Sequence, residues 1–153
     1  MTTRTTNPRT RGFRNCNPMN IRKSGKPQWN GEVKGTDRSF CTFCDRIYGV
    51  RAGLYLLYKY RKQYDLITVK QIVHRWAPAY DGNNPDAYAR QILRNNGYKK
   101  FLERNLHQLY RMVREMCWIE SQYVLTYREF LDAYELLPLE QQAYWRMDLE
   151  RSK

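Results

Sequence analysis

From Asp45 onward the apolar residues of this chain recur three and four positions apart. Val50, Leu54 and Leu57, with Arg61, share one helical face, and Gly53 among them allows close packing. Thr68 is placed to cap a second helix with Val69, Ile72, Val73 and Trp76 at helical spacing, ended by Pro78. Asn84-Pro85, a cap followed by proline at the first helical position, opens a third helix through Tyr88 and Ile92, which Gly97 can stop. A fourth runs from about Phe101 to Ser121, with a stripe of Leu106, Leu109, Tyr110, Val113 and Cys117. Thr126-Tyr-Arg-Glu129 has the form of a capping box and starts a fifth, with Phe130, Ala133, Tyr134 and Leu137 inward. Pro138 starts a last, more polar helix.

Before Asp45 the pattern differs. Gly, Pro and Asn punctuate residues 12–47, and SFCTF reads as a short strand. Residues 1–11, rich in Thr and Arg, read as a flexible basic arm, leaving 12–153 as a single domain. The expected fold is mainly α, of the α+β kind, with five to six helices and a small β-hairpin or strand excursion near residues 30–45.

One carboxylate falls on an apolar stripe. Three positions beyond Cys117 stands Glu120, within REMCWIESQY, so its side chain continues the inward face of the fourth helix. A carboxyl group there is either paired with a base or partly desolvated. Desolvation raises its pKa and keeps a proton available near neutrality, as a general acid requires.

Composition narrows the partners. The chain of 153 residues carries a formal charge of +12 and thirteen tyrosines with four tryptophans. So much positive charge calls for a polyanionic partner: nucleic acid, anionic membrane or bacterial wall. Its distribution is uneven. Residues 1–34 hold eight Arg/Lys against Glu32 alone, whereas residues 115–153 hold four against eight Asp/Glu. No stretch approaches the ~18–20 apolar residues of a membrane span, and the start has no apolar core after its charges, so no secretory signal is read. Synthesis in the cytoplasm is expected, with action at the cell wall or periplasm, or as a virion component, after delivery by another route. Cys41-Thr-Phe-Cys44 is a C-x-x-C, but Cys16 and Cys117 stand alone and His74 and His107 lack ligand spacing. No metal and no cofactor are expected.

The segments RGFRNCNPMNIRKSGKPQWNGEV, SFCTF, YGVRAGLYLLYKY and TVKQIVHRWAP, in that order, resemble a phage-derived, lysozyme-like family often described as virion structural proteins. The resemblance covers roughly residues 11–137. It includes Asn17, Asn20, Arg22, Trp29, Asp37, the Arg75-Trp76-Ala77-Pro78 run and Tyr88, and its helix ending in a glutamate places Glu120 there. The chain departs from the family's pattern at AYDGNNPDAY, which has one extra residue, and at Ser121-Gln122, where Asn-Gly is usual. Bacterial glucosaminidases and lytic transglycosylases are similar in carrying a Glu-Ser on a helix. Here Glu120-Ser121 follows the Asn-rich segment instead of preceding it, which implies a circular permutation.

What the resemblance implies is a peptidoglycan-cleaving glycosidase or lytic transglycosylase with Glu120 as acid/base, or a non-catalytic virion or wall-binding module of the same fold. Asp37 is the candidate second carboxylate, or a cap at the start of the strand. Glu32 ranks below it. Asn17, Asn20 and Arg22 offer donors for sugar hydroxyls and acetamido groups, or close turns. Trp29, Ser121 and Tyr88 complete the candidate substrate contacts, and Trp76 on its stripe reads as core. Expected partners are peptidoglycan glycan strands and phage virion proteins, and the protein itself is expected to be a monomer. Nucleic acid ranks last, since no helix-turn-helix or comparable motif is present.

Overall fold

The computed structural model describes residues 3–25 and 28–151, with side chains through Arg146 in the last helix. Among them the chain forms seven α-helices and one two-stranded sheet. In order these are α1 (Arg11–Arg14), β1 (Glu32–Val33), β2 (Thr42–Phe43), α2 (Arg46–Lys62) and α3 (Val69–Trp76). A 3-10 turn (Ala79–Asp81) leads to α4 (Pro85–Asn95), α5 (Leu106–Ser121), α6 (Tyr127–Tyr134) and α7 (Leu139–Arg151). The mainly helical class with a small antiparallel hairpin is as expected.

Two compact units divide the chain. One takes Met1–Tyr55 with Met116–Leu137, the other Leu56–Glu115 with Pro138–Lys153. In the first, β1 and β2 run antiparallel with Glu32 opposite Phe43 and Val33 opposite Thr42. An isolated bridge joins Arg22 to Phe40. Met19, Ile21, Phe43, Val50, Leu54, Cys117, Phe130 and Tyr134 are buried in this unit. In the second, Leu57, Ile72, Val73, Ile92, Leu109 and Trp145 are buried. Among the described residues no helix is long and apolar enough to cross a membrane.

The caps form where the sequence placed them. The hydroxyls of Thr68 and Thr126 each accept from the third backbone N–H of their helix, and Gln71 and Glu129 return the bond. Asn84 caps α4 ahead of Pro85. One boundary differs from expectation. The fourth helix starts at Leu106, because residues 100–102 pair with the turn before α3 through an isolated Thr68–Phe101 bridge. Val69 donates to the Lys100 carbonyl at 2.8 Å and Leu102 to that of Ile67 at 3.0 Å, which commits these groups to the bridge and not to a helix. Asn105 then takes over as cap, accepting from His107 and Gln108.

Residues 6–10, read as part of a flexible arm, are hydrogen-bonded to the chain that follows α5. The Thr6 hydroxyl accepts from Val124 N–H, Asn7 bonds Gln122 through backbone and side chain, and the Thr10 hydroxyl donates to the Ser121 carbonyl at 2.9 Å. Thr10 also caps the one-turn α1. A four-residue helix has no apolar period to betray it, so α1 was not anticipated.

Candidate functional site

Glu120 sits in the last turn of α5, half-buried. The buried stripe of that helix passes from Cys117 four positions on to Ser121, 1% exposed, so Glu120 occupies its edge. Its charge is felt inward: burial, and next the Glu120 carboxylate, push the Cys117 thiol well above its usual range.

Asn20 reaches this carboxylate from a part of the chain a hundred residues earlier. Its Nδ2 donates to the Glu120 backbone carbonyl at 3.0 Å and to Oε1 at 3.3 Å. The backbone of Asn20 is left-handed (φ 51°), a conformation asparagine tolerates better than most residues. That turn is fixed by Asn17, fully buried. Asn17 Nδ2 donates to the carbonyls of Ile21 and Cys41 at 3.0 and 2.9 Å, and its Oδ1 accepts from Ile21 N–H at 2.8 Å. Every strong group on this amide is used by the scaffold. Asn17 is therefore a tie between loop and strand, and Asn20 is the asparagine that meets the glutamate.

Ser121 is also committed to packing. Its Oγ is buried with no hydrogen-bond partner, and it fills the space where a Cβ on Gly12 would stand, 1.7 Å away. Both side chains were candidate sugar contacts, and both are withdrawn from the surface.

Asp37 performs the capping role. Its Oδ1 accepts from the backbone N–H groups of Ser39 and Phe40 at 2.9 and 3.0 Å. Its Oδ2 accepts from Asn15 Nδ2 at 3.1 Å and faces Arg11 Nε at 3.2 Å. The two backbone donors, then Asn15 and Arg11, lower its pKa to about 2. Such a group remains ionised at neutral pH.

Arg22 is exposed, its guanidinium 4.8 Å from the centre of the Phe40 ring, and Arg11 stands at the same distance from that ring. Trp29 is half-buried, edge-on to Tyr55 with ring centres 5.5 Å apart, and Glu32 accepts from its backbone N–H. Tyr88 belongs to the other unit, buried on the inner face of α4. In the C-x-x-C, Cys41 is buried and Cys44 exposed, as three positions along an extended chain dictate. Burial and the neighbouring Glu32 push the Cys41 thiol up to about 12. Among the described residues no three His, Cys, Asp or Glu side chains converge as metal ligands.

Three contributors escaped sequence reasoning. Asn15 bridges Asp37 to the Thr42 hydroxyl, Arg11 pairs with Asp37, and Thr10 ties α1 to the end of α5. Asn15 lies inside the quoted RNCNPMN run; the others lay in the stretch read as an arm or at its edge.

These features define a basic, mainly helical protein in which an asparagine-rich loop meets a glutamate at a helix end. No protein-family model matches the chain. It is similar to Protein P5 of Pseudoalteromonas phage PM2, 35% identical over 94 residues. The match takes in 60% of this chain and 58% of the phage protein, so this chain spans under two thirds of its relative's length.

Proposed function

We propose that the protein cleaves peptidoglycan glycan strands with Glu120 as a single general acid/base, by the lytic transglycosylase route. The observation that carries this reading is the bond from Asn20 Nδ2 to Glu120 Oε1, which holds a half-buried carboxyl by a neutral amide. That bond fixes the position of the carboxyl against the asparagine loop, as an acid/base that must meet one glycosidic oxygen requires. Asp37 is occupied by two backbone N–H groups, Asn15 and Arg11, so it serves poorly as the second carboxylate of a hydrolase. Exposed Arg22 and half-buried Trp29 remain as candidate contacts to the glycan.

In the proposed reaction the protonated Glu120 gives its proton to the glycosidic oxygen as the bond from that oxygen to C1 breaks. The resulting carboxylate then takes the proton of the muramoyl 6-hydroxyl, whose oxygen closes on C1 to form the 1,6-anhydro ring. Glu120 ends as it began. The resemblance to lysozyme-like phage proteins and the similarity to a phage protein support a phage origin, and with it delivery by a virion.

A second reading is a non-catalytic virion or wall-binding module of the same fold. It is favoured by Asn17 and Ser121, whose polar groups are turned into the scaffold.

Purified sacculi incubated with wild type and Glu120→Gln decide between them. Anhydro-muropeptides from the wild type, reduced at least about 100-fold in the variant, are expected for an essential general acid/base. Reducing-end products would replace the transglycosylase with a hydrolase. Sacculi left intact by a folded wild type would leave the non-catalytic module.

A further inference from the structure

The unit formed by Leu56–Glu115 and Pro138–Lys153 carries a second surface of definite chemistry, unrelated to Glu120. Tyr60 near the end of α2, Tyr64 just beyond it and Trp76 at the end of α3 come together there. Tyr60 lies 6.3 Å from each of the other two rings, centre to centre. Tyr80, in the 3-10 turn, is near enough to Tyr60 to influence its hydroxyl and is 88% exposed. Tyr64 is 38% exposed.

Cations are interleaved with these rings. The Arg75 guanidinium lies 4.0 Å from the Tyr64 ring centre and 5.4 Å from that of Tyr60, and Lys59 is 5.7 Å from Tyr64. Lys62 is exposed one turn from Lys59. The acidic neighbours in sequence are Asp65 and Asp81. Over residues 56–115 twelve Lys/Arg stand against five Asp/Glu.

The geometry points to this surface as a binding site for single-stranded nucleic acid, with the exposed Tyr80 as the base-stacking platform and Lys59, Lys62 and Arg75, which lies over the Tyr64 ring, facing the phosphates. The choice of partner follows from using both kinds of group. A neutral glycan would stack on the rings and leave the cations unanswered, and a wall glycan carries its carboxylates on peptide branches away from the sugar faces. Inorganic polyphosphate would meet the cations and leave the rings bare. Duplex DNA hides its base faces inside the stack, whereas a single strand offers unstacked bases and a regular anionic backbone together. Such binding needs none of the groove-reading motifs whose absence ranked nucleic acid last, because stacking tolerates any base.

The test is fluorescence anisotropy of the whole protein with a labelled oligo-dT. Duplex DNA of the same length, polyphosphate of equal charge and a chitooligosaccharide serve as competitors. The expected result is salt-sensitive binding of oligo-dT, with each competitor at least about 10-fold weaker. Tyr80→Ala and Arg75→Ala should each weaken it about 5-fold or more, the latter also lowering the salt slope. Tyr80 is so exposed that its loss leaves folding intact, which circular dichroism checks. Polyphosphate or duplex binding as tightly as oligo-dT overturns the proposal, as does unchanged affinity in both variants. Preference for the chitooligosaccharide would make the surface a glycan site instead.

Discussion

Asp37 and Glu120 are both carboxylates in the same unit, and they are held by different partners. Two backbone donors and Arg11 hold Asp37 at a pKa of about 2, below the ordinary value of about 3.9. Because the folded pKa is the lower one, the stabilisation is complete above about pH 4 and is lost as pH falls through about 2. Melting temperatures between those limits should therefore fall more steeply for wild type than for Asp37→Asn; parallel curves would remove Asp37 from the account. Gly12→Ala is a sharper probe of the site's floor. Its Cβ would collide with Ser121 Oγ and come within 2.9 Å of the Asn17 carbonyl, so a loss of about 1–3 kcal/mol is expected in urea unfolding. A Ser121→Gly partner change should recover part of that loss. A cap at Asp37 was one of the two readings its position allowed; Glu120, expected to continue the inward face, lies at its edge because Ser121 takes the buried place. The fate of Asn17 was not legible, because its acceptor at Cys41 lies 24 positions away and no local pattern encodes that pairing.

At the scale of elements, capping chemistry and apolar period located α2, α3, α4 and α6 well. They failed where backbone pairing outweighed propensity: Phe101 joined Thr68 in a bridge, and α5 had to wait for Asn105. The box that starts α6 is doubly anchored, since Glu129 also accepts a short bond from the Tyr123 hydroxyl. Removing the cap hydroxyl by Thr126→Ala should cost about 0.5–2 kcal/mol, read as a lower thermal midpoint with unchanged helical content. Gly49 marks the start of α2 for a different reason. A Cβ there would stand 2.6 Å from the Cys16 carbonyl, a backbone atom that cannot swing aside. Alanine, ordinarily the better helix former, should destabilise here by about 1–3 kcal/mol. A stabilised Gly49→Ala protein would show that this approach is looser than described.

For the whole molecule, the charge of +12 was the plainest signal in the sequence, and it indicated a class of partner without a site. The division into two units was not legible, because α2 and α5 each contribute residues to both and no linker composition marks the change. Retention on anionic sacculi should fall several-fold between about 50 and about 300 mM salt, as screening shortens to well under about 10 Å. Retention indifferent to salt would shift the weight to aromatic contacts. The bond between Asn20 and Glu120 also sets a timetable. At about 5–20 residues per second, the ribosome makes the amide about 5–20 s before the carboxylate it holds. A chain that ends before α5 therefore carries the Asn20 amide without the carboxylate it meets.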